Sequence, residues 1–229
     1  MTEMPDAVLF DLDGTLTNPF TGITSSMQHA LREVGLEPPL VEQLRRSIGP
    51  PLQVTFKEIL GDDARAAQAL GFYRERYGEV GKFENELIPG IIEAVQTLSD
   101  SGYRLFVATS KLETYSIDII DHFGLAPFFH RVHGSALDGS RADKGELIRH
   151  ILQTEGLDPR QSVMIGDRLH DVLGAAMNNV RTIGVLWGFG DRAELEGAGA
   201  ARTAADPAEL PEMVGDLIGP ARPAPALNP

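Results

Sequence analysis

Short apolar runs of strand length recur along the chain, and each is followed by a stretch with helical periodicity. The clearest runs are Ala7–Leu12, Arg104–Thr109, Ser162–Gly166 and Thr182–Leu186, with weaker ones at His130–His133 and Arg202–Ala204. The amphipathic stretches that follow them include Ile91–Ser101, Glu113–Phe123, Lys144–Glu155 and Asp171–Asn178. Nearly continuous apolar strands that alternate with helices are typical of a parallel sheet covered on both faces. The pattern therefore predicts an α/β fold with a doubly wound parallel sheet.

One interval lacks convincing strands and shows only helical patterning. It covers Ile23–Val34, Val41–Ile48, Leu52–Leu60 and Asp63–Val80, with a break at Gly49-Pro50-Pro51. Because this interval is far too long for a loop, we expect an inserted helical subdomain. The predicted division is an α/β core at residues 1–17 and 88–218, a helical insertion at 18–87, and a flexible Pro/Ala-rich tail at 219–229.

Composition narrows the classes of ligand and location. The 229 residues include no cysteine, which excludes disulfides, thiolate zinc sites and cysteine nucleophiles. The acidic residues outnumber the basic ones by 33 to 20, and the net charge of −13 disfavours nucleic acid and anionic membrane surfaces as partners. The first residues show no secretory pattern, and we expect a cytoplasmic protein. An anionic substrate would then need a locally positive site or a bound metal ion.

The first strand ends in the most informative segment, Val8-Leu-Phe-Asp11-Leu-Asp13-Gly14-Thr15-Leu16. Open parallel sheets bind ligands at the carboxyl ends of their strands, where Asp11 and Asp13 fall. Residues two apart in a strand face the same side, and two close carboxylates repel unless a cation offsets their charge. The structural alternative is a turn or helix cap made by Asp13. The complete pattern favours a functional pair of carboxylates.

This segment resembles the opening motif of the haloacid-dehalogenase-like (HAD) phosphatase superfamily, a hydrophobic run followed by Asp-x-Asp-Gly-Thr-Leu. The resemblance implies a Rossmann-like core in which Asp11 is the nucleophile that attacks phosphorus. It also implies that Asp13 is the general acid/base at the leaving oxygen, and this second aspartate favours phosphate over carbon–halogen chemistry. A carboxylate nucleophile divides hydrolysis into two easier steps through an aspartyl-phosphate, and a neighbouring proton donor assists both.

Two later segments supply a hydroxyl group and a cation in the order of the family pattern. The strand that ends in Thr109-Ser110 resembles the second motif, which implies that Thr109 and the Ser110 amide bind phosphate oxygens; a helix cap is the alternative. Lys111 lies one residue beyond this pattern and is a candidate secondary contact. Lys144 suits a point charge against phosphate and a carboxylate, and Arg141 is the rival cation.

A fourth segment, Gly166-Asp167-Arg-Leu-His-Asp171, supplies two more carboxylates at the end of an apolar strand. Asp167 would lie opposite Asp11 and complete a site of oxygen ligands, which suits Mg²⁺. The resemblance implies that the metal ligands are Asp167, the carboxylate of Asp11 and the backbone carbonyl of Asp13. It implies that Asp171 is an outer partner of the metal's waters or of the lysine, with helix capping as the alternative.

The helical insertion corresponds to the family's small cap in its commonest position, and the substrate would be selected there. Candidate specificity residues are Phe20, Thr21, Ile23, Arg45, Pro50, Phe56, Arg74 and Arg76, each with packing or surface exposure as the alternative. The chain is most similar to a branch that contains phosphoglycolate phosphatases and 5′-nucleotidase-like members. The segments that carry this similarity are Gly49-Pro50-Pro51-Leu52, Gly134-Ser-x-Leu-Asp-Gly139-Ser-Arg141, Gly166-Asp-Arg-x-His-Asp171 and Gly184-Val-Leu-Trp-Gly188-Phe-Gly190.

The predicted function is Mg²⁺-dependent hydrolysis of a small phosphate ester, by a monomer or homodimer that binds neither nucleic acid nor membranes. A phosphomutase of the β-phosphoglucomutase type is the nearest alternative, because it shares this core and cap. A catalytically silent binding protein with the same fold is the alternative from another class.

Overall fold

The computed structural model describes residues 6–45, 48 and 52–221. Within these residues the strands are β1 (Ala7–Phe10), β2 (Thr17–Asn18), β3 (Glu86–Leu87), β4 (Arg104–Leu112), β5 (Phe129–Ser135), β6 (Ser162–Gly166), β7 (Arg181–Val185) and β8 (Arg202–Ala204). The α-helices are α1 (Phe20–Glu33), α2 (Val41–Leu44), α3 (Leu52–Leu60), α4 (Asp63–Glu79), α5 (Ile91–Asp100), α6 (Glu113–His122), α7 (Lys144–Glu155), α8 (Leu169–Ala176), α9 (Arg192–Ala198) and α10 (Leu210–Ile218).

Six strands form one sheet in the order β5-β4-β1-β6-β7-β8, and each neighbouring pair is parallel. The chain passes from β1 to β4 and β5 on one side, then crosses back to β6, β7 and β8 on the other. The central strand β1 is therefore flanked by β4 and β6. Ligands of such sheets bind beyond the carboxyl ends of the strands, where the winding direction reverses. The predicted doubly wound parallel α/β fold is confirmed.

The unbroken apolar sequence of β1 reflects burial on both faces of the sheet. Val8 and Phe10 belong to the core on the side of α5, α6 and α10. Ala7 and Leu9 belong to the core on the opposite side, against α7. All four residues have no solvent-exposed area. A strand packed in this way fixes the position of the residues that directly follow it.

Several element boundaries differ from the predicted ones. β4 continues to Leu112, beyond the predicted end at Thr109, because Leu112 pairs with Ser135 of β5 after an irregularity in register. α8 begins at Leu169, so Asp171 lies in its first turn and does not precede it. α2 covers Val41–Leu44, and residues 46 and 47 of the predicted stretch Val41–Ile48 lie outside the described residues. Helices α9 and α10 were not predicted from the sequence.

The chain divides into two compact units, one of which is Asn18–Glu86. The rest of the described chain forms the other unit and contains the six-stranded sheet. The boundaries lie within β2 and β3, next to the predicted limits of the helical insertion. Residues 222–229 of the predicted tail and the Gly49-Pro50-Pro51 break lie outside the described residues.

The helical unit has an interior and an internal ion pair of its own. Arg76 binds Glu84 through two hydrogen bonds, of 2.9 and 3.0 Å, and donates a third of 2.9 Å to Ser26 Oγ. Phe56 is fully buried, and its ring lies edge-on to Tyr73 at 6.2 Å between centroids. Phe56 therefore packs in the interior of the helical unit, and Arg76 is held by an ion pair within it.

The other predicted specificity residues in this unit are differently placed. Ile23 is buried, whereas Thr21 and Arg74 are exposed. The Arg45 guanidinium lies 5.6 Å from the centroid of the Phe20 ring, which is a cation–π arrangement. Pro50 lies outside the described residues.

None of the helices in the described part of the chain has the length and apolar character that crossing a membrane requires.

Candidate active site

Three adjacent strands bring the predicted acidic and hydroxyl residues to one edge of the sheet. Asp11 directly follows β1, Thr109 lies in the last part of β4, and Asp167 directly follows β6. Lys144 is the first residue of α7, the helix that follows β5. Because β4, β1 and β6 are hydrogen-bonded neighbours, their carboxyl ends meet at the place where the sheet topology favours a ligand.

The carboxylates of Asp11, Asp167 and Asp171 converge at this edge. Each residue offers one oxygen, and the three oxygens lie within 4.8 Å of one another. Asp167 and Asp171 are buried, and Asp11 is partly buried. Like charges at such distances are unfavourable unless protons or a cation offset them. The set contains only oxygen donors, which is the chemistry that hard divalent cations prefer.

Lys144 is the buried cation that binds two of these carboxylates. Its Nζ lies 3.0 Å from Asp11 Oδ1 and 2.8 Å from Asp171 Oδ1, and it donates a hydrogen bond of 2.9 Å to the carbonyl of Ala108. Burial alone would lower the pKa of Lys144, but the charges of Asp11 and Asp171 outweigh it and raise the pKa above its usual value. Lys144 is therefore charged and held in one position.

Asp167 has one oxygen fixed and the other without a partner. Its Oδ2 accepts a hydrogen bond of 2.8 Å from the Phe189 amide, whereas its buried Oδ1 has no hydrogen-bond partner among the described residues. Burial, followed by the charges of Asp171 and Asp11, raises the pKa of Asp167 well above its usual value. Burial also raises the pKa of Asp171 to about 6, although Lys144 opposes that shift. Burial, more than the charges of the neighbouring carboxylates, therefore opposes ionisation of Asp167 and Asp171.

Asp13 lies beside a second lysine. Lys111 Nζ donates a short hydrogen bond to Asp13 Oδ2, while the buried Oδ1 of Asp13 has no partner among the described residues. Burial raises the pKa of Asp13 despite the opposing charge of Lys111. Lys111 was a candidate secondary contact in the sequence, and the structure places it directly on Asp13.

The remaining predicted residues are placed as follows. Thr109 is buried, and its hydroxyl accepts a hydrogen bond of 3.3 Å from the Lys111 amide. The side chain of Ser110 is exposed. Arg141, the rival of Lys144, forms an ion pair of 3.5 Å with Glu113. Among the described ion pairs of the acidic cluster, the cation is therefore Lys144 and not Arg141.

A glycine-containing loop, part of the segment that carries the similarity to the phosphatase branch, lies against Asp167. Gly188-Phe189-Gly190 follows β7 and does not match a dinucleotide-binding pattern. In the structure a Cβ atom at Gly188 would collide with the side chain of Asp167, and one at Gly190 would collide with its carbonyl oxygen. Two glycines just beyond an apolar strand, at the same edge as Asp11, were the available signal, because glycine permits close backbone approach.

Comparison with known proteins shows the family. The model for "haloacid dehalogenase-like hydrolase" matches residues 8–185, most of the chain. The chain belongs to this family. A 5′-nucleotidase from Pseudomonas aeruginosa is 45% identical over 208 residues, which cover 90% of this chain and 94% of that protein. A phosphoglycolate phosphatase from Pseudomonas putida is 28% identical, with 81% of this chain and 71% of that protein covered.

Two further similarities concern a kinase and a solved structure. The tyrosine-protein kinase PtkA of Mycobacterium tuberculosis is 40% identical over 189 residues, which cover 82% of this chain and 64% of that protein. The crystal structure of a predicted phosphatase from Clostridium acetobutylicum has a TM-score of 0.88 and 38% identity, with 94% of this chain and 100% of that chain covered. The HAD-like fold implied by the Asp11–Leu16 motif is thus confirmed.

The central role of Lys144 in charge balance predicts the effect of its removal. Lys144→Met keeps much of the side-chain volume but leaves Asp11 and Asp171 without their cation. We expect the free energy of unfolding to fall by about 3–5 kcal/mol, as for other buried ion pairs that lose one partner. Urea unfolding without added metal measures it.

The matched control is Lys57→Met, since Lys57 forms an ion pair of 2.9 Å with Asp63 and both side chains are largely exposed. Its cost should stay below about 1 kcal/mol. In the Lys144→Met background, Asp171→Asn should recover part of the loss because it removes one uncompensated charge. Equal effects of the two lysine substitutions would contradict this account of the site.

Proposed function

We propose that the chain hydrolyses a small phosphate monoester with Mg²⁺, through a phosphorylated Asp11. It is a phosphatase of the HAD-like family, and its relatives include a nucleotidase and a phosphoglycolate phosphatase. The observation that carries the proposal is the cluster at the centre of the sheet. There Asp11 forms an ion pair with the buried Lys144, and one oxygen of Asp11 lies within 4.8 Å of an oxygen of Asp167 and of Asp171.

The donor set fits a divalent ion. Asp11 and Asp167 would hold it through carboxylate oxygens and Asp13 through its backbone carbonyl, while Asp171 would act on the ion's waters or on Lys144. The unpartnered, buried Oδ1 of Asp167 is an oxygen that lacks the positive partner a buried carboxylate needs. The absence of cysteine in the sequence, together with a cluster made of aspartates, favours Mg²⁺ over zinc. When bound, the ion offsets the repulsion between the carboxylates and a phosphate dianion.

The first chemical step is an attack on phosphorus by the free carboxylate oxygen of Asp11. A bond forms between this oxygen and phosphorus, the bond from phosphorus to the ester oxygen breaks, and Asp13 gives its proton to the departing alkoxide. The raised pKa of Asp13 supports the protonated form that this donation requires. Lys144, the Thr109 hydroxyl and the Ser110 amide would hold the phosphoryl oxygens.

The second step returns the enzyme to its starting state. Asp13, now ionised, takes a proton from a water molecule while the oxygen of that water attacks phosphorus. The bond between phosphorus and the Asp11 oxygen then breaks. Inorganic phosphate leaves, and both carboxyl groups recover their initial protonation. Hydrolysis therefore takes place by two displacements at phosphorus, as in other cases of nucleophilic catalysis by a carboxylate.

We propose nucleoside 5′-monophosphates as the first substrates to examine and phosphoglycolate as the second. The preference rests on the 45% identity to the 5′-nucleotidase over nearly the whole of both chains. The phosphoglycolate phosphatase is more distant, at 28%. We propose that the helical unit Asn18–Glu86 acts as the cap that selects the leaving group, as its position in the chain implies.

Replacement of the nucleophile tests the mechanism. Asp11→Asn keeps the shape of the side chain but removes the anionic oxygen, and we expect kcat for release of phosphate from p-nitrophenyl phosphate to fall at least about 1000-fold. Asp121→Asn, at an exposed position of α6, is the control and should retain activity. Borohydride added during turnover should convert Asp11 to homoserine, which mass spectrometry detects. Full activity of Asp11→Asn, verified as undeamidated, would overturn the proposed role.

Removal of metal tests the cofactor. After dialysis against a chelator we expect no phosphate release, with recovery on addition of Mg²⁺. The unfolding temperature should rise with Mg²⁺ concentration, because a ligand that binds only the folded state stabilises it. This rise should be lost in Asp167→Asn and kept in Asp121→Asn. Full activity of protein shown by elemental analysis to be metal-free would contradict the proposal.

The product distinguishes hydrolysis from transfer. Stoichiometric release of inorganic phosphate supports a hydrolase. Conversion of a hexose 1-phosphate to the 6-phosphate without phosphate release would identify the mutase alternative instead. Transfer of phosphate from ATP to tyrosine would identify an activity like that named for the mycobacterial relative.

A further inference from the structure

We propose that the segment after β7, residues 187–194, is a clamp that positions Asp167, with the backbone amide of Phe189 as its positioning group. The inference rests on the proposed function, since it assigns the clamp the task of presenting one carboxylate oxygen to the divalent ion. Part of this segment, Trp187–Gly190, carries the similarity to the phosphatase branch, but the sequence assigned it no role toward Asp167.

The first observation is the asymmetry of the Asp167 carboxylate. The Phe189 amide donates to Oδ2 at 2.8 Å, and Oδ1 has no hydrogen-bond partner among the described residues although it is buried. A hydrogen bond to one oxygen fixes the rotation of the whole carboxylate group. Oδ1 is therefore the Asp167 oxygen left without a protein partner, in a carboxylate that places one oxygen within 4.8 Å of oxygens of Asp11 and Asp171.

The second observation is the lack of space around Asp167. A Cβ atom at Gly14, Gly188 or Gly190 would overlap Asp167, at its carboxylate in the first two cases and at its carbonyl oxygen in the third. Gly14 also has a φ of +86°, a conformation that side chains disfavour. Backbone therefore encloses this carboxylate on several sides, which leaves it few alternative rotamers.

The third observation is that the clamp is tied to the segments on both sides of the site. Trp187 Nε1 donates a hydrogen bond of 3.1 Å to the carbonyl of Thr15, in the loop that follows the nucleophile. Glu194 Oε1 accepts hydrogen bonds from Arg168 Nε at 2.8 Å and from the Leu169 amide at 2.9 Å. Both the nucleophile loop and the residues just after Asp167 are thus joined to the same segment.

These contacts have a predictable energetic consequence. Groups that orient a metal ligand without touching the metal change metal affinity by about 10–100-fold when they are removed. The clamp donates through its backbone, so replacing the Phe189 side chain does not remove the donor. Proline at this position removes the N–H and leaves Asp167 Oδ2 buried without its partner.

The test compares Phe189→Pro with Phe189→Ala by calorimetric titration of Mg²⁺ into the substrate-free, full-length protein. Both variants lose the aromatic ring, but only the alanine variant keeps the amide. We expect Mg²⁺ to bind the proline variant at least about 10-fold more weakly than the alanine variant. Gly197→Ala, in α9 with no atom near the added Cβ, is the control and should bind Mg²⁺ like the unaltered chain.

Two results would overturn the clamp. One is equal Mg²⁺ affinity of the proline and alanine variants, both folded by circular dichroism. The other concerns the unaltered protein, in which the ¹⁵N-labelled Phe189 amide should be protected from exchange and should shift on addition of Mg²⁺. A freely exchanging amide that does not respond to Mg²⁺ refutes the proposal even where the proline variant fails to fold. In either case Mg²⁺-dependent hydrolysis by the unaltered chain would persist, so the proposed function would stand.

Discussion

The charge balance at the carboxyl edge of β1 is the constraint on which the rest of the site depends. Three carboxylates lie within 4.8 Å of one another, two of them buried, and the buried ammonium that pairs with Asp11 and Asp171 is that of Lys144. Burial and mutual repulsion raise the pKa values of Asp167 and Asp171. Such a cluster is costly for folding unless protons or a cation neutralise it. The same imbalance supports the proposal that a divalent ion binds here and that, with this ion, a phosphate dianion binds beside it.

The fold supplies this arrangement through the position of a single strand. Because β1 is central and buried on both faces, the sequence up to Phe10 serves packing, and the proposed catalytic residues follow directly after it. Its neighbours β4 and β6 then bring Thr109 and Asp167 to the same edge. The protein carries a net charge of −13, so under the proposed function an anionic substrate would be attracted by the local lysines and the proposed metal ion and not by the overall field.

The parts of the fold that were predictable from the sequence are those in which one local pattern decides the structure. Apolar runs identified the strands of the main sheet, and the Asp11–Leu16 segment led to the family. Helix α9 was missed because its one buried residue, Leu195, gives no helical period. Helix α10 was also missed, although Leu210, Val214 and Ile218 repeat with the period of a helix. The start of α8 was placed two residues late, because Asp171 has the chemistry of a helix cap but lies inside the first turn, where its carboxylate reaches back to the Arg168 amide.

The contacts within the site were harder to predict because they join distant parts of the chain. Lys111 meets Asp13 across 98 positions, and no spacing rule relates them. The Phe189 amide carries no side-chain signal at all, since any residue except proline supplies it. The two glycines beside it are visible in the sequence, but their meaning depends on Asp167, which directly follows the neighbouring strand β6. Backbone interactions between the ends of different strands therefore could not be predicted from the sequence and became visible only in the structure.

The most direct test of the account is the location of a divalent ion by anomalous diffraction from crystals that contain Mn²⁺ in place of Mg²⁺. The account predicts one strong peak in direct contact with carboxylate oxygens of both Asp11 and Asp167. A protein that binds the ion elsewhere, with those two carboxylates outside its coordination sphere, would contradict it.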